Sequence, residues 1–178
     1  MNSATIEDSV RRFADDPVPA RSAPAVTARV TDGAAELSAG AFTWAADLPP
    51  ALGGGNTAPS PTAYLLGALA GCAAAFLRDT LGPQFGVKID GVTAVARCRS
   101  DARGLLGMEG ALPDLADLEL EVTVSSPEPA ERLEPVYQAW LERCPIFLAI
   151  TRPNAVGTRF QTQAAVEAQR ATKEVALP

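Results

Sequence analysis

Residues 60–81 read SPTAYLLGALAGCAAAFLRDTL, with a cysteine at the centre and no charge before Arg78. Leu65, Leu69, Cys72, Ala73, Phe76 and Leu77 recur at the three- and four-residue steps of a helix, while Tyr64, Leu66, Ala68 and Ala70 make the opposite side apolar too. A helix apolar all round is expected to be buried. Ser60 is placed to accept a hydrogen bond from the first-turn amides, and Pro61 suits the first helical position, where its missing N–H costs nothing. Gly82-Pro83 supplies the stop signal, which predicts a left-handed end and a helix of about twenty residues.

The remainder of the 178 residues suits one domain with appended ends, long enough to bury a core. The formal net charge is −6, and the fifteen Lys and Arg residues are scattered, which argues against a nucleic-acid partner. The N-terminal MNSATIEDSVRRFADD carries acids at Glu7, Asp8, Asp15 and Asp16 and lacks the continuous apolar run of a secretory signal. The uncharged part of the Ser60 helix is short for a membrane span and dotted with Gly and Ala, so no membrane association is expected. Three cysteines without close spacing fit a reducing cytoplasm better than a disulfide scaffold. The absence of histidine removes most metal sites and every Ser-His or Cys-His nucleophile; no metal and no cofactor are expected.

Residues 1–23 read as a mobile arm with one short helical turn near Thr5–Phe13. Residues 24–163 form the folded domain, and 164–178 a C-terminal tail of helix-compatible composition. Alternation over Val26–Val30, then Asp32-Gly33, then Ala34–Leu37 predicts a hairpin, followed by a third strand at Ala41–Ala45. A long Pro/Gly loop feeds the helix. Beyond it, Val87, Ile89, Val92 and Val95 mark a strand interrupted at Gly91; Asp101–Asp114 reads as a loop, and Leu118–Val124 alternates cleanly. Pro129–Arg143 reads as a second helix with Leu133, Val136, Tyr137, Trp140 and Leu141 on one face. An apolar turn at Ile146–Ile150 and a last strand at Asn154–Thr162 complete the ordered part.

These elements imply an α+β fold, with antiparallel sheets packed around a long buried central helix. Covering that helix from both sides calls for a second subunit, so a homodimer is expected. Taken alone, Cys72 in an Ala/Leu-rich helix reads more readily as a small buried hydrophobe than as a nucleophile. Cys98, between Arg97 and Arg99, reads as a plain half-buried thiol, and Phe42, Trp44, Trp140 and Phe147 as core or pocket wall. Gly53–Ala58 formally fits G-x-G-x-x-A, but Pro59 and Pro61 separate it from the helix amides, and loop flexibility is the better reading.

SPTAYLLGALAGCAAAFL, preceded by the LGGG…PSP loop and followed at a distance by RCPIFLAI, resembles the OsmC/Ohr family of small dimeric hydroperoxide-reducing proteins and their relatives, over roughly Ala25–Phe160. The resemblance implies an intertwined homodimer in which Cys72 is the peroxidatic cysteine and Cys144 resolves it. It also implies a small apolar hydroperoxide as substrate, in a pocket near Leu65, Leu69, Phe76 and Phe147, and an external dithiol as reductant.

Attack on a peroxide requires a thiolate, and an apolar surrounding raises a thiol pKa unless a cation compensates. The hydroperoxidase members supply an arginine from an N-terminal hairpin, held by a glutamate early in the central helix. This chain departs from both. Thr62 stands at the glutamate position, and the hairpin turn Thr31-Asp32-Gly33 has no arginine, leaving Arg29 as the nearest candidate, with Arg97, Arg99 and Arg143 beside it. Three readings follow: a thiol peroxidase, a homologue without that activity that binds a small apolar ligand in the dimer cavity, and a purely structural dimer.

Overall fold

The computed structural model describes residues 3–167. Helix α1 (Ser3–Asp15) leads through a 3-10 turn at Val18–Ala20 to three short strands, β1 (Thr27–Arg29), β2 (Ala35–Ala39) and β3 (Phe42–Ala46). After a second 3-10 turn at Pro50–Leu52 come α2 (Pro61–Phe76), a π turn at Leu77–Leu81, α3 (Gly82–Gln84), β4 (Gly91–Arg99), α4 (Ala102–Leu105), β5 (Ala116–Ser125), α5 (Ala130–Arg143) and α6 (Pro145–Thr151). The mixed helix and antiparallel-sheet architecture expected from the periodicities is present: β1-β2-β3 form one antiparallel sheet, β4-β5 another.

The first sheet is a meander. Asp32-Gly33 turns β1 into β2, with Gly33 at φ +73°, and Leu37 then stands opposite Trp44 in β3. In the second sheet the β5 alternation works as read: Leu118, Leu120, Val122 and Val124 turn inward while Glu119 and Glu121 face solvent. The β4 phase differs from the expectation. Val92, Ala94, Ala96 and Cys98 form its inward face, and Val95 lies on the wet face opposite Glu121. The strand starts at Gly91 instead of bulging there, and the irregularity falls between Arg97 and Arg99. Val87 belongs to the buried turn that precedes the strand.

The central helix begins as expected, with Ser60 Oγ accepting from the Ala63 amide at 3.2 Å and Pro61 at the first position. It does not stop at Gly82. Helical backbone continues from Pro61 through Gln84, 24 residues, and Gly82 keeps a right-handed φ of −50°. The π turn explains the difference: widening the backbone there accommodates Pro83, which has no N–H to give and a ring that would otherwise strike the preceding turn. The left-handed stop lies at Gly86 (φ +61°), with the Val87 amide donating back to Gly82 O at 2.8 Å.

Helix α2 packs on β4, β5 and α6. The core gathers Ala73, Leu77 and Leu81 from the central helix, Val87 from the turn, and Val136, Ala139, Trp140 and Cys144 from α5 and its end. Burial of each large apolar side chain stabilises by roughly 1.5–3 kcal/mol. The chain covers only one side of α2, however: Leu69 and Ala73 are buried, Leu65 is 38% exposed, and Gly67 and Gly71 face open space.

Four further elements differ from the sequence reading. The helical turn near Thr5–Phe13 is the thirteen-residue α1, packed on α3. The apolar turn at Ile146–Ile150 is helix α6, whose first position Pro145 favours. The loop Asp101–Asp114 contains α4, started by Asp101 accepting from the Arg103 amide at 3.0 Å. The strand at Asn154–Thr162 is not formed. Residues 153–162 run without a ladder, and Val156 and Phe160 are 82% and 98% exposed, because a strand is held by a partner strand and no described strand pairs with this segment. In the tail, residues 163–167 are helical, and 168–178 lie outside the described residues.

Candidate functional site

Cys72 sits near the middle of the long helix, on the turn that faces α6. Cys144 is the joint between two helices: its extended backbone (φ −68°, ψ 112°) closes α5, its amide donates to Trp140 O at 2.9 Å, and its carbonyl accepts from Leu148 in the first turn of α6. Pro145 then fixes the start of α6. This arrangement brings the two sulfurs together, with Cys144 Sγ–H donating to Cys72 Sγ at 3.3 Å, both free. Cys144 is fully buried, whereas Cys72 keeps part of its surface. The reachable thiol is therefore the one on the helix, and the enclosed thiol stands behind it.

The Cys72 thiol is pushed up to about 11, first by burial and then by the hydrogen bond and charge of Cys144, while the Ile146 amide donating to its sulfur acts in the opposite direction. Among the described residues no arginine or lysine contributes to this shift. Arg29 lies exposed on β1, opposite Glu36. Arg97 pairs with Glu121 at 2.6 Å and Glu119 at 3.6 Å on the wet face of the second sheet, and Arg99 pairs with Asp117. Arg143 turns to Gln84, donating to its Oε1 at 3.2 Å, and lies over the Phe85 ring at 5.9 Å. Thr62, in the first turn of α2, stands about 15 Å from Cys72 along the helix axis, at ~1.5 Å per residue.

An apolar cavity of about 570 Å³ lies between β5 and α5, walled by Leu120, Val122, Leu133, Tyr137, Trp140 and Phe147. Of the four residues expected around a substrate, Phe147 lines it; Leu65, Leu69 and Phe76 do not. Leu69 is buried, Phe76 packs against the core, and Leu65 lies on the open side of α2.

A residue that sequence reading missed is Asp47, just after β3. Its carboxylate accepts from the amides of Leu48 (2.7 Å), Gly55 (3.1 Å) and Thr57 (2.9 Å) and from the Thr57 hydroxyl (2.8 Å). These bonds, Thr57's amide foremost, hold the carboxyl below its usual range. Asp47 thus occupies the amides that the G-x-G-x-x-A pattern offered to a phosphate. Gly54 is required for close approach, since a Cβ there would fall 2.0 Å from Leu48 O. A short acidic residue ahead of a glycine run is the signal that would have found it. Tyr64 completes the link, donating its hydroxyl to Ala45 O at 2.6 Å and tying the first sheet to α2.

Two juxtaposed thiols at a helix–helix joint, on an α+β scaffold of antiparallel sheets, define a small thiol protein. The chain belongs to the OsmC-like family, whose profile, described as OsmC-like protein, matches residues 53–159. It is similar in fold to the OsmC-like protein of Mycoplasma pneumoniae (18% identity, 72% of this chain and 87% of that one, TM-score 0.60). It is likewise similar to an organic hydroperoxide resistance protein OsmC of Legionella pneumophila (16%, 73% and 90%, TM-score 0.56). A third is a putative osmotic stress induced and detoxification response protein of Psychrobacter arcticus (18%, 72% and 88%, TM-score 0.54). No curated protein sequence matches the chain.

Proposed function

We propose that this protein is a cytoplasmic thiol peroxidase of organic hydroperoxides, acting as a homodimer without bound metal or cofactor. The observation that carries the proposal is the 3.3 Å approach of Cys144 Sγ to Cys72 Sγ. The Cys72 thiolate attacks the terminal peroxide oxygen; the O–O bond breaks, the alkoxide takes a proton to leave as an alcohol, and Cys72 becomes a sulfenic acid. Cys144 displaces that hydroxyl as water, forming the disulfide, and an external dithiol restores both thiols while becoming a disulfide itself. The apolar surroundings of Cys72 favour an alkyl peroxide over hydrogen peroxide.

The homodimer reading rests on the open side of α2, where the exposed small residues Gly67, Ala68, Gly71 and Ala75 permit close approach of another backbone. Exposed Phe160 and the unpaired segment 153–162 point the same way. A second reading, a ligand-binding homologue without peroxidase activity, is favoured by one specific observation: among the described residues no arginine or lysine contributes to the Cys72 shift, and its thiol is raised to about 11.

The test is consumption of cumene hydroperoxide and hydrogen peroxide with a dithiol reductant, beside Cys72→Ser and Cys144→Ser. Organic-peroxide turnover abolished in Cys72→Ser is expected. Turnover no faster in wild type than in that variant would move the assignment to the ligand-binding reading.

A further inference from the structure

The helix carrying Cys144 is fastened at two points to the end of the helix carrying Cys72. Arg132, in the first turn of α5, donates through Nη2 to Gly86 O at 2.9 Å. Arg143, in the last turn, donates through Nη1 to Gln84 Oε1 at 3.2 Å and lies over the Phe85 ring at 5.9 Å. These arginines are about three helical turns apart, so they project from the same face of α5 and converge on the three-residue turn 84–86. The two anchors differ in what they adjoin. Arg132 holds the far end of α5, whereas Arg143 is the residue immediately before Cys144 and secures the joint where α5 gives way to Pro145.

We infer that Arg143 is a positioning residue for the thiol pair, setting the register in which Cys144 meets Cys72. The inference rests on the pairing of these cysteines proposed above. A disulfide requires the sulfurs to close to ~2.05 Å within a narrow torsional range, so a small drift of the Cys144 joint lowers the effective concentration of one thiol at the other. The guanidinium fork, held by an amide oxygen and an aromatic face together, restrains the joint where a freely hinged Cys-Pro corner would not.

The experiment is the thiol–disulfide equilibrium with glutathione. In it, one oxidised glutathione and the Cys72/Cys144 dithiol exchange to two reduced glutathiones and the protein disulfide, followed by mass spectrometry and run well below the unfolding temperature. Arg143→Ala is expected to lower the equilibrium constant at least tenfold, and Arg143→Lys to recover part of that loss. Arg132→Ala removes a contact to the same turn at the other end of the helix and is expected to stay within twofold of wild type. If Arg143→Ala does not fold, Gln84→Ala removes the acceptor with Arg143 in place, and a drop of threefold or more is expected. A constant within twofold of wild type for Arg143→Ala, or for Gln84→Ala where that variant stands in, overturns the inference, as does an equal loss in Arg132→Ala. Failure of wild type itself to form the disulfide would instead show that the pairing is wrong, a result distinct from either.

Discussion

Cys144 is fully buried, yet its sulfur lies 3.3 Å from that of Cys72, a partly exposed residue. Bond formation needs a closure of about 1.3 Å from this distance to the ~2.05 Å of a disulfide. Mild oxidation with diamide is therefore expected to give an intramolecular 72–144 bridge quickly and to leave Cys98 reduced. Peptide mapping without reduction checks this. In Cys144→Ser, peroxide treatment should instead accumulate the Cys72 sulfenic acid, trapped by dimedone; a Cys98-containing bridge as the main product would contradict the geometry.

The Cys72 thiol, with an ordinary value of 9.0, is raised to about 11 mainly by burial. Its stabilising contribution is complete while the unfolded thiol is also protonated. As pH rises past 9.0 the unfolded chain ionises first, so stability is lost progressively toward about 11. Denaturant unfolding at pH 8 and pH 10 should show that loss in wild type and a smaller one in Cys72→Ala. The same shift sets the chemistry: iodoacetamide labelling of Cys72, and any peroxide turnover it supports, should climb about tenfold per pH unit through the neutral range. A plateau below pH 8 would reveal a cation acting on the sulfur that the described residues do not supply.

Much of this could be read from the residues alone, and the exceptions share a cause. The Ser60–Pro61 helix start and the β5 alternation are local signals, and both stand where local rules put them. The stop at Gly82-Pro83 failed because a π turn absorbs a proline that local rules treat as terminal. The strand at Asn154–Thr162 failed because strand character in sequence says nothing about whether another strand packs beside it. At the site, the two cysteine motifs were legible, but the ties that set their spacing were not. The Ile146 amide and the Arg143–Gln84 contact join residues far apart in the chain, and Asp47 acts on a loop eight to ten residues later.

Asp47 organises the loop that feeds the central helix. Its carboxyl is held below the usual value, so its stabilising effect is present above about pH 3.8 and is lost as pH falls through the lower folded value. Asp47→Ala strands the Gly55 and Thr57 amides and is expected to lower the melting temperature by several degrees at pH 7, with a smaller difference from wild type near pH 3. Thermal unfolding by circular dichroism at the two pH values measures this. Equal losses at both would mean that the charge is irrelevant.

Leu81 is completely buried in the π turn, against the core built by Val136 and Trp140. Leu81→Ala should cost about 2–5 kcal/mol, the sum of lost transfer energy and an uncollapsed cavity. Urea titration at constant m-value reads it directly. A cost below about 1 kcal/mol would mean that the turn relaxes around the gap, and that its π geometry is less tightly packed than its burial implies.

Phe160 is 98% exposed in one chain, on a segment without strand partners, while Gly67, Gly71 and Leu65 leave one side of the central helix open. A large aromatic presented fully to water is unfavourable by roughly 1.5–3 kcal/mol relative to a buried one, so a second copy that covers it gains that much per subunit. The backbone N–H and C=O groups of residues 154–161, which have no backbone hydrogen bond among the described residues, would gain ladder partners in the same event. Wild type is therefore expected to sediment as a dimer. Phe160→Asp, which places a charge where an apolar contact is proposed, should raise the dimer dissociation constant at least tenfold while leaving the circular dichroism spectrum intact. A wild-type monomer at micromolar concentration, or a Phe160→Asp variant that dimerises as tightly as wild type, would show that this segment does not cover the partner.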